Sequence, residues 1–222
     1  MVGYLRDDLT PEQIEAERAL HAPFAAAVRD LVDATVRTEV DAEEVRAVQA
    51  EVEALTARLR ARQIEGAYGV RHSADGTSRP WGNAVVGLRN PIAPPLDVQR
   101  HPDATGEVWA DFTLGAVYEG PSGLVHGGVT SLVLDQVLGE SAGAAKRPGM
   151  TATLELTYRR PTPLGPLRAE AWVDRTDGFK TWCRGRLIGP EGTTVEAEGL
   201  FILPRWAREQ QTPVGDSGQV SG

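Results

Sequence analysis

Between residues 107 and 203 the chain alternates apolar and polar side chains, and a single apolar helix interrupts the alternation. Val108, Ala110, Phe112 and Leu114 alternate with Glu107, Trp109, Asp111 and Thr113. Ala152, Leu154, Leu156 and Tyr158 alternate with Thr151, Thr153, Glu155 and Thr157. The same period of two returns over 167–175, 180–188 and 194–203, which marks strands with one buried face. Thr176-Asp177-Gly178 and Gly189-Pro190-Glu191-Gly192 are turn sequences that favour antiparallel hairpins. The lone helix, over about 129–143, is mostly apolar, and nothing else in this block can cover it. The antiparallel sheet must therefore wrap around it, which is an α+β arrangement.

The flanks read differently. Thr10-Pro11-Glu12-Gln13 is a capping box with proline at the first helical position, and Asp41-Ala42-Glu43-Glu44 opens a second helix. Leu20, Phe24, Ala27, Val28, Leu31 and Val32 follow the first cap at helical spacing. Val45, Val48, Val52, Leu55 and Leu59 follow the second at intervals of three and four. Residues 1–65 are thus a helical extension with a join near Thr38–Asp41, serving as a lid, a dimer contact or a surface cover. Residues 66–82 are rich in turn formers and read as a linker, 83–204 as the main domain, and 205–222 as a disordered tail.

Composition narrows the function. With 31 acidic against 23 basic residues the formal charge is −8, which argues against a nucleic acid as partner. One cysteine, Cys183, excludes an internal disulfide, and no Cys/His spacing suits a structural zinc site, so no metal is expected. The first residues lack a signal-peptide apolar stretch and no run of about 18 apolar residues occurs, so no membrane partner and a cytoplasmic location are expected.

The chemistry concentrates in Gly120-Pro121-Ser122-Gly123-Leu124-Val125-His126-Gly127-Gly128 and the helix behind it. Glycines let a ligand approach the backbone, and the first amides of a helix lack intrahelical acceptors at its positive end, an arrangement that binds an oxyanion. Asp135 lies within the apolar helix, where a carboxylate is costly to bury unless it is paired or used. Gly127 and Asp135 are eight residues apart, so about 12 Å of helix rise separates them. One carbonyl cannot sit against both groups of the same chain; if both act on one substrate, a two-fold-related copy must supply one of them.

These residues, together with Met150-Thr151-Ala152-Thr153-Leu154-Glu155-Leu156-Thr157-Tyr158-Arg159-Arg160-Pro161, make the block from Asn83 to Leu203 resemble a hotdog-fold acyl-coenzyme A thioesterase of the phenylacetate-degradation (PaaI-like) type. The resemblance implies hydrolysis of an acyl-CoA thioester by a homodimer or dimer of dimers, without metal or cofactor. It gives Asp135 the role of general base or nucleophile. It gives the Gly127 N–H, helped by His126, the polarising of the carbonyl, and Thr151 the positioning of water. Gly128, Ser131, Arg159 and Arg160 become substrate contacts, the two arginines toward coenzyme A phosphates. Many relatives carry an asparagine before the histidine; Glu119-Gly120-Pro121-Ser122 has none, so the resemblance leaves that share of the carbonyl contact to His126.

A non-catalytic binder of acyl thioesters or small ligands is the competing reading. A hotdog dehydratase ranks below it, because it needs a second histidine that neither the helix nor its neighbouring strands supply. Gly120-Pro121-Ser122-Gly123 lacks the spacing of a serine nucleophile elbow, and Cys183 reads as buried packing.

Overall fold

The computed structural model describes residues 5–73, 78–103, 105–205 and 207–208. The chain divides into two compact units, one reaching from the N-terminal side to Leu96 and including Thr113–Glu119, the other made of Asp97–Phe112 and the chain from Gly120 onward.

The first unit begins with a short strand, β1 (Leu5–Arg6), and two helices, α1 (Pro11–Arg37) and α2 (Ala42–Arg60). Both start where the caps require. Thr10 accepts from the Gln13 amide while the Gln13 side chain accepts from the Thr10 amide, and one Asp41 oxygen takes the amides of Glu43 and Glu44, at 3.0 Å each. The face that α1 buries differs from the expected stripe. Ile14 and Ala25 are buried, whereas Leu20, Phe24 and Leu31 are exposed. Helical spacing reports amphipathicity but not which of two apolar stripes meets the core.

Residues 66–82 are not the expected linker. They contain β2 (Arg71–His72) and β3 (Ser78–Arg79), which complete a small sheet in the order β1-β2-β3. Trp81 and Arg79 are buried, and Val85, Ala93 and Leu96 continue this core beyond Asn83. Arg29 Nε donates to the Ala93 carbonyl at 3.0 Å, which ties α1 to that segment. The compact boundary therefore falls near Leu96 and not at residue 83. Two-residue strands are too short to show a period of two, which is why this segment reads as turns.

The second unit carries β4 (Gln99–Arg100), β5 (Val108–Leu114) as far as Phe112, α3 (Gly127–Ala144), β6 (Met150–Tyr158), β7 (Gly165–Asp177), β8 (Lys180–Gly189) and β9 (Gly192–Ile202). The sheet order is β4-β5-β7-β8-β9-β6, with β4/β5, β7/β8, β8/β9 and β9/β6 paired antiparallel. The two expected hairpin turns join β7 to β8 and β8 to β9. α3 lies on the face shared by β6, β7, β8 and β9. Its Val133, Leu134, Val137, Leu138 and Ala142 are buried, as are Leu167, Ala169 and Ala171 of β7, Cys183 and Leu187 of β8, and Val195, Ala197 and Phe201 of β9. This is the helix-in-sheet packing that a hotdog fold requires. β6 is the edge of the sheet, and most of its residues are exposed.

The tail expected over 205–222 lies outside the described residues from Glu209 onward.

Candidate active site

The segment before α3 is held in place by its own backbone. Gly120 N–H donates to the Leu124 carbonyl, Val125 N–H to the Thr162 carbonyl and Leu164 N–H to the Gly123 carbonyl, so 120–125 is fastened to 162–164. A Cβ on Gly120 would stand 2.8 Å from His126 Cα, so only glycine lets the loop fold this tightly against the turn.

α3 starts at Gly127 with His126 as its N-cap. His126 Nδ1 accepts from the Gly128 amide at 3.0 Å. An accepting Nδ1 carries no proton, so the neutral ring holds its hydrogen on Nε2, which is free to donate outward. Val129 and Thr130 amides are satisfied by the His126 carbonyl. Among the described residues the Gly127 N–H has no acceptor, which leaves one unengaged donor at the positive end of the helix. The Gly128 amide is taken up by the cap.

The carbonyl of Gly127 is unusually well supplied. It accepts from Thr130 Oγ1 at 2.7 Å, Tyr158 Oη at 2.9 Å and Ser131 Oγ at 3.0 Å, and the Ser131 and Tyr158 hydroxyls lie 3.1 Å apart. These bonds hold the Gly127–Gly128 peptide, the one that follows the free amide in the chain. A Cβ on Gly127 would come within 3.3 Å of Tyr158 Oη. Sequence reading passed over Tyr158, although period-two alternation already set it on the same face of β6 as Leu154 and Leu156. The missing knowledge was that this end of β6 lies against the start of α3.

Asp135 sits midway along α3, half-buried, and accepts from Thr151 Oγ1 through Oδ1 at 2.8 Å. Strict alternation put Thr151 on the polar face with Thr153, and the structure corrects this. Thr151 pairs with Phe201 and Thr153 with Leu200, so Ala152 is an extra residue that forms a β-bulge. The bulge turns Thr151 to the helix-facing side, where buried Phe201 also lies. The Asp135–Thr151 and Gly127–Tyr158 contacts run in opposite chain directions, so α3 and β6 are antiparallel. Among the described residues Asp135 Oδ2 has no hydrogen-bond partner.

This arrangement has solved relatives. The crystal structure of a thioesterase superfamily protein matches with a TM-score of 0.73 and 31% sequence identity, over 90% of this chain and 100% of that one. The chain belongs to the thioesterase superfamily. The thioesterase superfamily model matches residues 122–196, which span α3, β6 with its bulge, β7, β8 and the start of β9. The chain is also 34% identical over 94 residues to the acyl-coenzyme A thioesterase THEM4 of Bos taurus, and 36% identical over 96 residues to that of Xenopus laevis. These alignments cover 41% of this chain but 38% and 42% of the relatives, so the chain spans about two-fifths of their length.

In this superfamily member Arg159 and Arg160 have partners within the chain. Arg159 Nε and Nη2 both donate to Glu196 Oε2, at 2.9 and 2.7 Å, and Arg160 Nη1 donates to the Glu191 carbonyl at 2.7 Å. Both guanidinium groups remain exposed. Cys183 is buried against α3; burial pushes its thiol pKa up to about 11, against a smaller opposing pull from the Ser141 hydroxyl and the Ala142 backbone. A thiol so protonated is no nucleophile. Among the described residues no three His, Cys, Asp or Glu side chains cluster as metal ligands, and no helix is long and apolar enough to cross a membrane.

Proposed function

We propose that this protein hydrolyses an acyl-coenzyme A thioester to the free acid and coenzyme A, with Asp135 as the reacting carboxylate. The observation that carries the reading is the Thr151-to-Asp135 hydrogen bond at 2.8 Å in the middle of α3. In the water-activating route, Asp135 Oδ2 takes a proton from water as its oxygen attacks the thioester carbon. The resulting oxyanion is held by donors, and its collapse expels the thiolate, which recovers a proton. Thr151 spends its one hydrogen on Asp135 Oδ1, so its lone pairs remain to accept from the attacking water. In the direct route an Asp135 oxygen attacks the thioester carbon and expels the coenzyme A thiolate to leave a mixed anhydride, which water then cleaves to the free acid and the restored carboxylate. A thioester is already activated, so a positioned base and a preorganised donor are adequate without metal or cofactor.

The donors in this reading are the Gly127 N–H and His126 Nε2–H of a second copy. The roughly 12 Å helix rise between Gly127 and Asp135 keeps one carbonyl from reaching both in the same chain. β6 is an unpaired sheet edge, and an exposed edge is where a two-fold partner can add its own strand. The exposed Arg159 and Arg160 lie at the end of that edge, where they can exchange their present partners for coenzyme A phosphates. The single buried cysteine suits a reducing, cytoplasmic setting.

The test is release of free thiol from a panel of acyl-CoA esters by the parent and by Asp135→Asn. The variant is expected to lose about 100- to 10,000-fold in kcat at an unchanged melting temperature. A parent-like rate in the variant would overturn the reading.

A further inference from the structure

α2 buries none of its residues. Val45, Val48, Leu55 and Leu59 are 45%, 39%, 50% and 57% exposed, and with half-buried Val52 they follow the three-four spacing of a coiled-coil seam. Helices in proteins draw most of their stability from packing an apolar face, and this 19-residue helix has such a face uncovered. Charge is unevenly spread along α2: Asp41, Glu43 and Glu44 stand at its start with Arg46 beside them, Glu51 and Glu53 lie midway, and Arg58, Arg60 and Arg62 gather at its end.

We propose that α2 is a self-association surface that pairs antiparallel with α2 of a second copy of this chain. Antiparallel pairing lays the mainly acidic start of one helix beside the basic end of the other, whereas parallel pairing offers its flanking charges no partner of opposite sign. The register that keeps both helices fully overlapped sets Val45 over Leu55 of the partner subunit and Val48 over Val52 of the partner subunit. With Val45 and Val52 at a positions, Glu44, Glu51 and Arg58 occupy g, and antiparallel helices face g to g. Glu44 then meets Arg58 of the partner subunit at both ends, and Glu51 lies beside its own counterpart near the axis as the one repulsive contact. In a parallel pair Glu44 and Glu51 would face the uncharged Gln49 and Thr56. This pairing is independent of the thioesterase reading.

Cysteine crosslinking of the full chain tests it, because the native Cys183 is buried and the parent serves as control. Val45→Cys/Leu55→Cys is expected to run as a covalent dimer on a non-reducing denaturing gel after mild oxidation, while each single variant runs as a monomer. The two positions are about 15 Å apart along one helix, too far for a bond within a chain. In the double-cysteine background Arg58→Glu should lower the crosslinked yield several-fold, and adding Glu44→Arg should restore it. No crosslink in the double variant, equal crosslinking of the single variants, or a yield indifferent to Arg58→Glu would overturn the proposal.

Discussion

The Thr151 hydroxyl reaches Asp135 Oδ1 at 2.8 Å because one extra residue, Ala152, rotates the start of β6 toward α3. Remove the hydroxyl and a half-buried carboxylate loses its donor, at a cost of about 1–3 kcal/mol. Thr151→Val should therefore lower kcat by about 10- to 100-fold with KM little changed, whereas Thr151→Ser should keep the rate within about threefold. Steady-state thiol-release kinetics on both variants check this; equal losses in the two would mean that packing, not the hydroxyl, matters.

Tyr158 and Gly127 are coupled by contact. An alanine methyl at residue 127 would press on Tyr158 Oη at 3.3 Å but would meet the ring carbons at an ordinary 3.6 Å. Gly127→Ala should lower the melting temperature in the parent and lower it less in a Tyr158→Phe background, which lacks the crowding oxygen. A thermal double-mutant cycle reads the difference, and strictly additive shifts would show that the two residues do not restrain each other.

Where the sequence carried a long periodic signal, the structure places an element of the expected type. The strands from Val108 onward, the apolar α3 and the caps at Thr10 and Asp41 all lie where spacing and capping chemistry put them. Asp135 stood out because a carboxylate among Leu134, Val137 and Leu138 needs a reason. Its partner's orientation did not stand out, since a one-residue bulge leaves no mark in alternation yet reverses the face of Thr151. The sheet of β1, β2 and β3 was hidden for a different reason: its strands are two residues long, and burial of Arg79 and Trp81 depends on pairing between distant segments. Tyr158 depended likewise on knowing which end of β6 meets the start of α3.

Cys183 should be silent in a thiol assay. With its pKa pushed up to about 11 by burial, about one part in a thousand is thiolate at pH 8, and the sulfur is also covered. A disulfide-exchange reagent should react with the folded protein at least about 100-fold more slowly than with the urea-unfolded chain, which should titrate as a single thiol per chain. Rapid labelling of the native protein would contradict the buried placement.

Glu170 joins β7 to β8 across the face of the sheet away from α3. It accepts from Arg168 Nε at 2.7 Å and from Arg186 Nε and Nη2 at 2.9 and 2.7 Å, while Arg168 also reaches Asp111. Burial would raise its carboxyl pKa, but the hydrogen bonds and charges of the two guanidinium groups prevail and lower it. A carboxyl whose pKa is lowered by folding stabilises the native state above its unfolded pKa, and that contribution fades as pH falls through the folded value. The arginine heads are partly exposed and screened, so the stabilisation is at most about 1 kcal/mol. Glu170→Gln should accordingly lower the urea midpoint measurably at pH 7, with a difference from the parent that shrinks in acid below the ordinary glutamate range. Added salt at pH 7 should shrink the same difference. A gap between parent and variant that stays constant down to pH 3 would mean that the side chain's shape, and not its charge, supports the strand pair.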